Sequence, residues 1–249
     1  MRLLCFFFPV FFLAWAELAP AQSNPELPYY GRKNTFGVLA AYSIDSSHIL
    51  MGTAENRKLL NFGANYSRRL FQNRVVNWQY HAEILPVALE SDPVSLTTVT
   101  LVSPPQTSPI PPETSIPVSA CHSQSGTYTL TFQGVVYDYE YSETCSRRWT
   151  IGEGVSPIGF DWNFLPRRKI QPFLLAHGGY MYSTQPIPTT GAGSFNFTFD
   201  FGVGIELFRS KSKSVRADYR FHHISDHNTS TVNPGIDNGL FTLTYAFGR

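Results

Sequence analysis

The segment SFNFTFDFGVGIELF (194–208) constrains this chain more than any other. Phe195, Phe197, Phe199, Phe201, Val203, Ile205 and Leu207 fall on one face, and Asn196, Thr198, Asp200, Gly202, Gly204 and Glu206 on the other. A repeat of two is that of a β-strand, whose successive side chains point to opposite faces. With one wholly apolar face it is far longer than the soluble norm of about 5–6 residues.

The pattern recurs. Val76, Trp78, Tyr80, Ala82 and Ile84 oppose Asn77, Gln79, His81 and Glu83; Leu60, Phe62, Ala64 and Tyr66 oppose Asn61, Gly63, Asn65 and Ser67. Near the C-terminus, Phe241, Leu243, Tyr245 and Phe247 oppose Thr242, Thr244 and Ala246. Weaker alternation covers 35–42, 149–164, 170–183 and 214–225, which makes eight predicted strands. A soluble barrel would turn the apolar faces inward. Three features favour a membrane barrel instead. The strands match a tilted span of about 9–11 residues. Their polar faces are small and weakly charged. Tight connections (72–73, 166–169, 210–213) alternate with long ones (43–56, 91–148, 184–193, 227–238), as in outer-membrane barrels. The predicted fold is therefore all-β: an eight-stranded antiparallel transmembrane β-barrel with one long extracellular loop. Eight strands leave an interior just wide enough for side chains. Asn61, Gln79, His81, Glu83, Asp161, Asp218 and Arg220 are then expected to form a packed polar core, with an ion path as the lesser alternative.

The N-terminus fits export. Arg2 precedes an apolar run to Ala16, and Ala19-Pro20-Ala21 has the small-x-small form of a cleavage site. Residues 1–21 read as a signal peptide rather than an anchor, and 22–249 as one barrel domain in the outer membrane. Charged residues are 15% of the chain and the formal net charge is +1, which argues against a nucleic-acid partner. Cys121 and Cys145 form an even pair in an exported chain, so a disulfide is the default. They flank TYTLTFQGVVYDYEY, a hairpin expected to turn near Gln133-Gly134 and to set the cysteines opposite each other. Residues 91–120, rich in Ser, Thr and Pro, are expected to resist packed structure. The extracellular flap is thus placed at about 91–148.

The segment YRFHHISDHNTSTVNPGID (219–237) carries the candidate chemistry. Val215, Ala217, Tyr219 and Phe221 share the apolar face of its strand, and His223 and Ser225 continue it; Arg216, Asp218, Arg220 and His222 share the inward face. Parity therefore makes His223 the partner of Ser225, near the outer end of the lipid-facing surface. Asp237 begins the next strand and can lie beside His223 as the acid of a triad. A metal site at His222, His223, Asp226 and His227 is disfavoured, because adjacent histidines face opposite ways. A polar strand end with no chemistry is the plain alternative.

These residues add a resemblance. HHISD…NPGID at the end of a penultimate barrel strand resembles the lipid A 3-O-deacylase (PagL-like) family. The resemblance implies an eight-stranded outer-membrane barrel whose Ser–His–acid triad removes the ester-linked acyl chain at position 3 of lipid A. It implies Ser225 as nucleophile, His223 as base and Asp237 as acid, with Asn233 and Gly235 in the loop where an oxyanion is stabilised. It implies no cofactor and no metal. The implied partners are lipid A, lipopolysaccharide and outer-membrane lipids, with a homodimer left open. One position departs: the family usually has Asn after the serine, and here it is Asp226. An ionised Asp cannot donate to an oxyanion and would repel it. Either Asn233 and backbone N–H groups suffice, or the enzyme is slow or inactive. The rival readings are a non-catalytic barrel of the same family and a phospholipase of the same membrane.

Overall fold

The computed structural model describes residues 29–43, 46–104 and 109–249. The expected signal peptide lies outside the described residues. The strands are β1 (Asn34–Ser43), β2 (Lys58–Gln72), β3 (Val76–Ser103), β4 (Glu113–Ser115), β5 (Gln124–Phe132), β6 (Val135–Phe164), β7 (Ile170–Ser183), β8 (Phe195–Phe208), β9 (Lys213–Ser225) and β10 (Ile236–Gly248). Eight of them close a ring in the order β3-β2-β1-β10-β9-β8-β7-β6, with β6 returning to β3. Every pairing in the ring is antiparallel.

The barrel is apolar outside and polar inside, as a lipid environment requires. On β8 the apolar set from Phe195 to Leu207 is 44–53% exposed, while Asn196, Asp200 and Glu206 are buried. Several of the interior charges are paired. Asp161 accepts from Arg216 at 2.8 Å and lies 3.1 Å from His81 and 3.3 Å from His177. Arg220 reaches Asp218 at 2.8 Å and Glu83 at 3.4 Å. Near the short-turn end Arg32 meets Glu206 at 2.6 Å. Burying these groups is tolerable only because each charge meets its counterpart. The interior is a packed polar core.

The flap differs from the sequence expectation in two respects. Residues 91–103 are not structureless: they continue β3 beyond the barrel, paired to β6 from Ser91↔Trp149 to Ser103↔Asp138. The Thr- and Val-rich run suits a strand once β6 supplies a partner, and a Pro-containing segment shows no such partner in isolation. With β5 on β6 and β4 on β3, the flap is a short sheet in the order β4-β3-β6-β5. Its hairpin turns at Gln133 and Gly134, both at positive φ (50° and 79°), as a two-residue hairpin requires. Cys121 and Cys145 are bridged, with Cα atoms 5.9 Å apart. The pairing of Phe132 with Val135 centres the hairpin between residues 133 and 134, so Cys121 joins from outside the ladder rather than from directly opposite. Arg57, fully buried, clamps the flap to the barrel mouth. It bonds Asp92 at 3.2 Å and the carbonyls of Pro117, Val118 and Pro188 at 2.6, 2.8 and 2.7 Å.

Candidate active site

The site is built on β8, β9 and β10 at the long-loop end of the barrel. Strand parity sorts the two histidines. His222 points inward, is 4% exposed and lies 2.7 Å from Asp200 through Nδ1. His223 points outward in line with Phe221, its ring nearly parallel to that of Phe221. Phe199 is its partner on β8, and Phe197 is the partner of Ser225. A polar pair thus stands among aromatic residues on the lipid-facing surface.

Asp237 is the direct cross-strand partner of His223. Its Oδ1 lies 2.6 Å from His223 Nδ1, and the carboxylate is fully buried. Its Oδ2 accepts the backbone N–H groups of Leu50 and Met51 at 2.7 and 2.8 Å. Those residues lie between β1 and β2, and sequence reasoning missed them, because backbone donors leave no side-chain signature. With Nδ1 engaged by Asp237, Nε2 is the nitrogen left to take a proton.

Ser225 is held by Asn233. Asn233 Nδ2 donates to Ser225 Oγ at 2.9 Å, and Ser225 Oγ donates to Asn233 Oδ1 at 3.1 Å. The N–H of His227 reaches the same hydroxyl at 3.2 Å. No hydrogen bond joins Ser225 to His223, although both residues share the outward face. Catalytic hydrogen bonds are often open until substrate binds. Gly235 has φ +63°, and a Cβ there would sit 3.2 Å from His223 Cε1 and 3.4 Å from the Cα of Gly52. Only glycine fits both the left-handed backbone and the space beside the imidazole.

Asp226 does not face the serine hydroxyl. It is 1% exposed, and its carboxylate accepts the N–H of Gly193 at 3.1 Å and of Asn228 at 2.9 Å. The carboxylate ties the loop after β7 to the loop after β9 through these two amides. The four-residue metal set does not converge either, since His222 and His223 lie on opposite faces of β9. A different trio, His81, Asp161 and His177, offers ligand atoms within 4.8 Å of one another inside the barrel. Asp161 there is already bonded by Arg216.

Comparison with known proteins adds one family. The model described as "Lipid A 3-O-deacylase (PagL)" matches residues 118–246, just over half of the chain and all of β7 to β9. Among solved structures, Neisserial surface protein A (NspA) is 10% identical, with 87% of this chain and 97% of that chain covered and a TM-score of 0.43. LpxR from Salmonella typhimurium is 8% identical, with 86% and 100% covered and a TM-score of 0.25. Both likenesses are too distant to carry weight. No curated protein matches the chain.

Proposed function

The chain belongs to the lipid A 3-O-deacylase (PagL) family, and on that premise we propose that it is an outer-membrane esterase that removes the 3-O-linked acyl chain of lipid A. The observation that carries the reading is the outward-facing set of Asp237, His223 and Ser225 at the lipid-facing rim, with Asn233 on the serine hydroxyl.

In this reading Ser225 Oγ turns from Asn233 to His223 when the ester arrives. His223 Nε2 takes the hydroxyl proton, and Oγ attacks the acyl carbonyl. Asp237 accepts from Nδ1–H, fixes the tautomer and stabilises the imidazolium. Asn233 Nδ2, freed from the hydroxyl, donates to the carbonyl oxygen as it gains charge, a contribution of about 10²–10³ in rate for one donor. The imidazolium returns the proton to the leaving 3-hydroxyl of the sugar. Water, deprotonated by the same histidine, then releases the 3-hydroxy fatty acid and restores Ser225.

Mass spectrometry of lipid A from cells producing the parent or Ser225→Ala tests this. The parent should remove one 3-hydroxyacyl mass and the variant should not. Intact lipid A with altered phospholipids would instead select a phospholipase, and no lipid change at all a non-catalytic barrel.

A further inference from the structure

The segment between β1 and β2 meets the site through its backbone and the surroundings through its side chains. Besides the two amides on Asp237, the N–H of Thr53 donates to Pro234 O at 2.7 Å and that of Ala54 to Gly235 O at 3.1 Å. Residues 50–54 therefore run alongside residues 234–237, the stretch that holds the acid and supports the imidazole. Their neighbours Ala54 and Arg57 are fully buried, which seats the segment firmly. Yet Ile49, Leu50 and Met51 are 46%, 75% and 59% exposed. Three consecutive exposed apolar residues are unusual on a surface segment. None of their side chains is needed for the contact with Asp237, since that contact is made by amides any non-proline residue could supply. The tip also lies outside residues 118–246, the part matched by the family model.

On the other flank of His223 and Ser225 stand Phe199 and Phe197, 46% and 48% exposed. The polar pair is thus bordered by β8 aromatics on one side and by the Leu50–Met51 tip on the Asp237 side. An ester placed at Ser225 has its acyl chain in apolar surroundings, and the chain gains by covering exposed hydrocarbon.

We propose that Leu50 and Met51 form an acyl-chain contact of this site, so that the ester's long chain is gripped by the same segment whose amides hold Asp237. The proposal rests on the esterase reading. It joins chain binding and the anchoring of the acid in one segment: the side chains of Leu50 and Met51 meet the chain, while their amides already hold Asp237, which orients His223. Leu50 and Met51 are then substrate-contact and positioning residues, and selectivity for long chains resides partly in them.

The test uses the full-length barrel in detergent micelles with two probes, p-nitrophenyl myristate and p-nitrophenyl butyrate. The doubly substituted Leu50→Ser/Met51→Ser protein keeps both backbone donors. Its ratio of kcat/KM for the long over the short ester should fall at least about tenfold, the equivalent of losing burial of one to two methylenes. A Leu50→Met/Met51→Leu protein should restore the ratio. Heat-modifiable gel mobility reports folding in each case. A ratio equal to the parent's in a folded barrel overturns the proposal, even if both activities drop together. A parent that cleaves neither ester nor lipid A removes the esterase reading itself, a failure visible without any variant.

Discussion

His223 and Asp237 are direct partners across the β9–β10 ladder, and His223 Nδ1 stands 2.6 Å from Asp237 Oδ1. Their proximity is set by strand register rather than by a mobile loop. A slip of one residue would send His223 into the interior and His222 out to the lipid. The proposed acid and base are therefore as well aligned as the β9–β10 ladder is in register.

The two neighbouring histidines should respond in opposite ways to truncation. On the proposed reading, His223→Ala should lower ester cleavage by about 10²–10⁴ while the barrel still folds, because it removes the proposed base from the outer surface. His222→Ala removes the hydrogen-bond partner of buried Asp200, a loss of about 1–3 kcal/mol for a buried group left unsatisfied. It should lower the temperature of heat modification and spare turnover in whatever protein folds. If His222→Ala ended catalysis in a folded barrel and His223→Ala did not, the outward-facing site would be wrong.

Asp226→Asn should not accelerate the reaction. Its two carboxylate oxygens each accept one amide, from Gly193 and from Asn228, and an Asn side chain has one acceptor oxygen for the two. The unmatched amide costs about 1–3 kcal/mol. We expect ester cleavage no faster than the parent from neutral to acid pH, with a lower heat-modification midpoint. A faster variant, with a gain that fades in acid, would mean that the carboxylate does reach the developing oxyanion.

Gly235→Ala should cost activity out of proportion to its size. The residue has φ +63°, and the added methyl would press on His223 Cε1. The left-handed conformation costs a non-glycine residue about 1–2 kcal/mol of stability, and separately the methyl pushes the imidazole from its place, which should lower turnover by about tenfold or more. Parent-like turnover in a folded protein would show that the exact place of the ring is immaterial.

Much of this molecule is legible in a period of two. The apolar face of 195–207, the polar set Asn61, Gln79, His81 and Glu83, and the division of His222 from His223 all follow from which way alternate side chains point. What could not be read depends on partners distant in sequence. Residues 91–103 become a strand because β6 lies beside them. Asp226 looks suited to meet an oxyanion until the amide of Gly193, 33 residues earlier, claims it. The hold of Leu50 and Met51 on Asp237 uses main-chain N–H groups, which every non-proline residue carries, so no side-chain pattern could announce it.

Closure of the ring has a consequence for when the protein can act. Asp237 is the second residue of β10, the strand whose pairing with β1 seals the barrel, and two of its hydrogen bonds come from the residues that follow β1. The acid's surroundings are therefore assembled from the first and last strands, and they come together only when the ends of the sheet meet. A chain still in transit has its serine, histidine and aspartate but lacks the two amides that anchor the carboxylate. On the proposed reading the site is completed only by closure of the barrel.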